Sequence, residues 1–193
     1  MIYIVNPNEK SFLENAGDRP PLGALYVATS LKNAGHKVKF FDLNHDRTED
    51  FLVDVYKNRP GYVGFSMISS PSFEEVTRLN KLVKLNSRET LTVVGGYHPT
   101  VRPQDFKDFD FVIRGDGEEA FLDVIKGGLE DKIYVSDSDF VSHPDRGFLN
   151  PDNYDMMIGG KRASTIITSR GCPYSCVFCG NYSKKVRFRN QSH

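Results

Sequence analysis

The 193-residue sequence has no net charge, because 25 lysines and arginines face 25 aspartates and glutamates. That balance leaves no electrostatic footprint for a nucleic acid or an acidic membrane surface. The one local excess is Lys184, Lys185, Arg187 and Arg189 near the end, which reads as a solvated basic strand or tail. No apolar run approaches the ~20 residues of a membrane-spanning helix. A charged-then-apolar leader is missing too, and MIYIVNPNEK reads directly as a first strand. There are three cysteines, an odd number, which argues against a disulfide framework. No internal repeat and no low-complexity tract is present. What remains is ordinary for a soluble globular chain, with 39% apolar and 26% charged residues.

Residues 1–135 alternate strand and helix signals, the pattern of an α/β domain with a parallel sheet. Strands are expected at Ile2–Val5, Lys37–Phe41, Tyr62–Phe65, Leu91–Val94 and Phe109–Ile113, with a possible last one at Lys132–Val135. Helices are expected at Leu22–Ala34, Glu49–Lys57, Ser72–Leu85 and Glu118–Ile125. Leu22, Leu25, Tyr26, Ala28, Thr29 and Leu31 recur at helical spacing, and Gly35 ends that helix. Ser70 or Ser72 is the expected cap of the third helix. Five strands with intervening helices predict a flavodoxin-like (Rossmann-like) doubly wound sheet of order 2-1-3-4-5. Ligands of such sheets bind beyond the carboxyl ends of the strands, where the strand order reverses. The functional edge is then made by the loops Asn6–Pro21, Ser66–Pro71, Gly95–Pro103 and Arg114–Gly117. Residues 136–163 have no sustained periodicity and read as a linker draped over a surface.

Gly95 and Gly96 end the fourth strand, where two glycines allow close backbone approach to a ligand. Ser66 opens a small, hydroxyl-rich loop after the third strand. Gly115-Asp116-Gly117-Glu118-Glu119-Ala120 matches G-x-G-x-x-A between a strand and a helix, the dinucleotide fingerprint. That reading fails, because a pyrophosphate at this helix N-terminus would meet three carboxylates. Asp116, Glu118 and Glu119 suit the helix dipole instead.

Residues 164–193 open something new. An apolar β-branched run, Ser164 to Ser169, leads through Arg170-Gly171 into Cys172, Cys176 and Cys179, a C-x3-C-x2-C spacing. A structural zinc site wants four protein ligands, and a four-iron cluster normally takes four cysteines. Three thiolates would leave one iron open to a substrate or cofactor. The alternatives are a three-cysteine, one-histidine zinc knuckle, for which only His193 lies downstream, and three unrelated thiols.

The segment TSRGCPYSCVFCG resembles the cluster loop of the radical S-adenosylmethionine enzymes, with Phe178 at the aromatic position before the last cysteine. The resemblance implies a 4Fe-4S cluster on Cys172, Cys176 and Cys179, whose open iron takes S-adenosyl-L-methionine. The sheet-edge loops, with Pro20-Pro21-Leu22-Gly23 and Arg114-Gly115-Asp116-Gly117-Glu118, resemble the cobalamin-binding domain that precedes many of these enzymes. By that likeness Ser66, Gly95 and Gly96 line the pocket for the nucleotide tail. Tyr97, His98 and Thr100 lie near the corrin face, Pro21, Leu22 and Gly23 meet the second domain, and Gly115, Gly117 and Glu118 complete the edge. The histidine motif D-x-H-x-x-G of cobalamin mutases is missing after the first strand, so cobalt is expected without that ligand.

The implied function is a cobalamin-dependent radical enzyme, a methyltransferase or a related catalyst of C–C or C–H chemistry. A small-molecule substrate, a reduced flavodoxin or ferredoxin as electron donor, and a cytoplasmic location go with it. A barrel of that kind needs on the order of 200 residues, so residues 164–193 are read as the first strand and cluster loop of a truncated barrel. Two alternatives remain, an inert cobalamin-binding module and, less well supported, a flavodoxin-like carrier. The carrier lacks a phosphate-cradling loop at Asn6-Pro7-Asn8-Glu9-Lys10.

Overall fold

The computed structural model describes residues 1–10, 17–127, 132–136, 143–180, 183 and 185–188. Gly128, Lys184, Arg189, His193 and positions 11–16 of the first loop lie outside the described residues. Six parallel strands form one sheet in the order β2-β1-β3-β4-β5-β6. They are β1 (Ile2–Asn6), β2 (Val38–Asp42), β3 (Tyr62–Met67), β4 (Leu91–Gly96), β5 (Phe111–Gly115) and β6 (Ile133–Ser136). The flanking helices are α1 (Leu22–Asn33), α2 (Thr48–Asn58), α3 (Phe73–Asn86), the short α4 (Tyr97–Val101) and α5 (Gly117–Lys126). This is the flavodoxin-like, Rossmann-like architecture expected from the alternation of signals, extended by β6, which pairs with β5 from Val112↔Ile133 to Gly115↔Ser136.

The strand period of two builds two cores. Tyr3 and Val5 face α2 and α3 together with Val63, Phe65, Met67, Val76 and Leu79. Ile2 and Ile4 face α1 and α5 together with Ala28, Leu31, Val93, Ile113 and Phe121. Strands with both faces covered read as continuous apolar runs, as Ile2-Tyr3-Ile4-Val5 does. Strand order reverses between β1 and β3, so the carboxyl ends of those two strands diverge into helices on opposite faces.

The loop expected over Gly95–Pro103 contains a helical turn. Gly96 has φ +116°, which redirects the chain off the strand end. The Thr100 hydroxyl then donates to the Gly96 carbonyl at 2.6 Å and accepts from the Gly115 N–H at 2.9 Å, tying α4 to both strand ends. Ser72 precedes α3 without a side-chain cap, because a 3-10 turn over Ser70–Ser72 leaves it in helical conformation. A capping hydroxyl needs extended backbone at that position. The Ser72 hydroxyl goes to Glu9 instead, at 2.5 Å.

Past β6, the described residues dock on the sheet edge near α1. Asp145 accepts from Lys32 at 2.6 Å, its N–H donates to Thr29 at 2.7 Å, and Phe148 lies against Phe40. The buried Tyr154 donates its hydroxyl to Asp42 at 2.8 Å. The strand expected over Ser164–Ser169 is confined to β9 (Ser169–Arg170), after the two-residue β7 (Met157–Ile158) and β8 (Lys161–Arg162). A strand persists only where a neighbour takes its N–H and C=O groups. Here β10 (Arg187–Phe188) does so, antiparallel, with Arg170 opposite Arg187.

Candidate cofactor site

A cavity of 460 Å³ opens at the carboxyl edge of β1, β3, β4 and β5, on the α1–α5 face of the sheet. Its floor is apolar: Ile4, Val93 and Ile113 from the strands, Ala24 and Val27 from α1, and Phe121 from α5. Its rim is built from small or backbone-like residues, Gly23, Ser66, Gly95, Gly96, Gly115 and Gly117. Ile167, Ser169, Arg170 and Gly171 form the far wall with Ser183 and Arg187. The segment that leads into the cysteines is thus part of the cavity itself.

Two of the glycines are enforced by geometry. A Cβ on Gly96 would press into the Met67 carbonyl, 2.8 Å from its carbon, at a φ that side chains rarely adopt. A Cβ on Gly117 would lie 2.8 Å from Val27 Cγ2, where α1 and α5 come together beside the cavity. Both mark places where backbone has to approach closely.

The charged part of the wall is paired internally. Arg170 donates to Glu118 at 2.5 Å and lies 3.2 Å from one oxygen of Asp116. Arg187 meets the other Asp116 oxygen at 2.8 Å. The Arg170 guanidinium also sits over the Tyr26 ring, 4.8 Å from its centroid. Only 3% of the Glu118 side chain and 12% of the Arg170 side chain reach solvent. Burial works against the Arg170 charge, but the Glu118 hydrogen bond and the charges of Glu118 and Asp116 outweigh it, and its pKa is raised. Asp116 stands at the N-cap of α5 with no side-chain cap bond, its carboxylate spent on the arginines. The helix dipole still favours Glu118 and Glu119 in the first turn.

Of the residues expected at a site, the structure brings Gly23, Ser66, Gly95, Gly96, Gly115, Gly117 and Glu118 together around the cavity. Leu22 packs beside it with Leu25 and Tyr26 against Phe148, Leu149 and Ile167, and Pro21 sits at the N-cap of α1. Tyr97 is half exposed, and its hydroxyl accepts from the Gly180 N–H at 3.3 Å, just past the last cysteine. Thr100 is buried between β4 and β5 and does not line the cavity. His98 turns away from it as well. Its ring stacks on Phe73 at 5.4 Å, and its Nε2 meets Asp105 at 3.0 Å. Val27, Phe121 and Arg170 are not among the residues expected at a site, and Arg187, expected in a solvated basic strand or tail, is instead buried and paired with Asp116. Two arginines flanking the cysteine loop, with acids at one helix start, were the available signal.

The cysteine loop is less assembled. Gly171 enters it at φ +82° against the Lys185 carbonyl, and Cys172 donates its N–H to Ser183 at 3.5 Å. Cys179 N–H bonds Cys176 C=O at 3.0 Å, which makes a tight turn. No cysteine is in a disulfide, and Cys176, Cys179 and Phe178 are exposed. Among the described residues no three histidine, cysteine, aspartate or glutamate side chains are placed to hold a metal ion. The donor chemistry suits iron; the positions of the thiols do not yet make a site.

An open parallel sheet with its cavity at the point of strand reversal defines the class: a doubly wound α/β ligand-binding domain. The chain belongs to the B12 binding domain family, whose profile matches residues 12–125. It is 29% identical over 208 residues to the uncharacterized methyltransferase PH0819 of Pyrococcus horikoshii, a match covering 94% of this chain and 45% of that protein. It is 29% identical over 206 residues to the hopanoid C-3 methylase of Methylococcus capsulatus, covering 94% and 40%. It is 25% identical over 218 residues to the anaerobic magnesium-protoporphyrin IX monomethyl ester cyclase of Rubrivivax gelatinosus, covering 94% and 38%. The chain therefore spans less than half the length of these relatives. Its fold is like that of the cobalamin-dependent S-adenosylmethionine radical enzyme OxsB, solved with aqua-cobalamin and S-adenosylmethionine bound. That match has TM-score 0.66 and 18% identity, and covers 97% of this chain and 29% of that one. No helix among the described residues is long and apolar enough to cross a membrane.

Proposed function

We propose that the chain is the cobalamin-binding portion of a radical S-adenosylmethionine enzyme, a methyltransferase or a related catalyst acting on a small molecule. The observation that carries this reading is the cavity at the strand reversal, glycine-rimmed and apolar within, whose far wall is the segment entering the cysteine loop. An apolar, close-walled cavity suits the nucleotide tail of a corrinoid, and the small rim residues leave room for the tail to pass between backbone segments. Residues 1–135 would form the corrinoid domain, 136–163 a linker, and 164–193 the entry to the radical domain.

Cys172, Cys176 and Cys179 would hold a 4Fe-4S cluster once the loop closes around it, since metal binding and loop folding are coupled. When bound, the cluster would supply the electron that cleaves S-adenosyl-L-methionine, and the corrinoid would carry the methyl group. The chain's own residues do the remaining work. Phe121, Val27 and Ile113 exclude water from the buried tail, and Arg170 holds the entry to the cysteine loop beside it. A reduced flavodoxin or ferredoxin would be the electron donor, and the cytoplasm the fitting compartment.

The test is anaerobic mixing with hydroxocobalamin, followed by the corrin spectrum through gel filtration. One corrinoid per chain is expected to co-elute, and a Gly95→Leu variant to elute bare. Absence of corrin from the wild-type peak refutes the reading. Anaerobic reconstitution with iron and sulfide is expected to give a brown chain, and Cys176→Ala a colourless one. A chain that binds corrinoid and stays colourless would instead be the inert module.

A further inference from the structure

Arg170 and Arg187 face each other across the two-strand ladder that closes the base of the cysteine loop. Like charges directly opposite on neighbouring strands repel, and both side chains are largely buried here, which removes the screening of water. The pair is tolerable because a carboxylate from outside the ladder lies between them. One oxygen of Asp116 meets Arg170 and the other meets Arg187, at 3.2 and 2.8 Å. Glu118 accepts from Arg170 Nη2 at 2.5 Å, while the Tyr26 ring lies against the guanidinium face. Both carboxylates belong to the start of α5, on the cavity rim.

We propose that Asp116 and Glu118 form a two-carboxylate socket for the Arg170–Arg187 pair, and that Arg170 is the positioning residue that fixes Cys172, next in the chain to the cavity-lining Gly171. Docking in the socket favours closure of the loop base, since the ladder brings two buried positive charges side by side. Cys172 lies two residues beyond Arg170, so undocking frees its backbone. Because Arg170 and Gly171 also line the cavity, a ligand inside it and the docked ladder favour each other. That last consequence rests on the corrinoid reading above; the socket itself does not.

The test uses the full chain, metal-free and reduced, with alkylation of each cysteine by iodoacetamide resolved by peptide mass spectrometry. Cys176 and Cys179 are exposed and serve as internal references. Arg170→Gln and Glu118→Gln are each expected to raise the Cys172-to-Cys176 alkylation ratio at least fivefold. Arg170→Lys, which keeps the charge but loses the fork and the stacking on Tyr26, is expected to recover only part of the protection. Far-UV circular dichroism checks that the sheet survives. If Arg170→Gln does not fold, Glu118→Gln decides. A ratio within twofold of wild type in folded Arg170→Gln or Glu118→Gln overturns the socket. In a second arm, cyanocobalamin is expected to slow Cys172 alkylation further in wild type and not in Arg170→Gln. By linkage the variant is then expected to bind the corrinoid more weakly than wild type. A chain that binds no cyanocobalamin fails the corrinoid reading alone, because the first arm needs no ligand.

Discussion

The paired glycines at the end of β4 make opposite predictions for the same small change. At Gly96 an added methyl meets the Met67 backbone and demands φ +116°. The dihedral strain costs about 1–3 kcal/mol. Forcing β3 and β4 apart at that point costs about another 1–3 kcal/mol. Gly96→Ala should therefore lose about 4 kcal/mol, or roughly 8–16 °C in melting temperature for a chain of this size. At Gly95 the added methyl lies 3.6 Å from Ile113 Cβ, an ordinary contact, with no unusual dihedral. Alanine also suits a strand better than glycine by about 0.5–1 kcal/mol, so Gly95→Ala should melt within a few degrees of wild type. Its methyl stands beside Ile113 in the cavity wall, so the same variant should bind hydroxocobalamin more weakly. Thermal unfolding followed by circular dichroism, with corrin binding on the same samples, separates the two. The reasoning is refuted if Gly96→Ala melts within 2 °C of wild type, or if the two variants melt together.

Phe121→Ala removes the cavity's largest apolar wall and should cost about 3–5 kcal/mol in urea unfolding. Tyr154→Phe removes the buried bond to Asp42 and should cost about 1–3 kcal/mol. Limited proteolysis should then cut faster within 143–158. Burial raises the Asp110 pKa, but Lys84 and the Thr92 N–H and hydroxyl outweigh it and hold the carboxyl below its usual value. The stability this gives is present above the unfolded carboxyl value of about 3.9 and is lost as pH falls through the lower folded value. Urea melts from pH 7 down to 2 should show a flatter acid limb in Asp110→Asn than in wild type.

The parallel sheet was legible because buried strands announce themselves by composition, and α1, α2, α3 and α5 by period and by glycine or proline at their ends. Gly95 and Gly96 were legible as a close-approach site for the same local reason. Other features depend on distant partners. The run at 164–168 has the composition of a strand, yet only Ser169 and Arg170 find a ladder, because pairing is decided by what lies alongside. Asp116 and Glu118 read as helix-start acids, and only the fold reveals that Arg170 and Arg187, far along the chain, share them. His98 stood on the expected edge, but the rings of Phe73 and Phe106 claimed it for packing. Sequence spacing specifies which elements form; it carries little information about which charges will meet.

The chain order of the cavity walls bears on how the domain is assembled during synthesis. The strand and helix walls are finished when α5 emerges from the ribosome, whereas Arg170 follows Glu118 by 52 residues. Until that segment is made, the nascent domain holds an open trough, with its apolar floor facing the cell. On the corrinoid reading, a cofactor tail would meet the least protein in its way at that stage. Once Arg170 reaches the socket, Ile167, Ser169, Arg170 and Gly171 complete the far wall, and on the corrinoid reading the tail is then walled in on that side. Loading would then be a property of the growing polypeptide, and retention a property of the finished one.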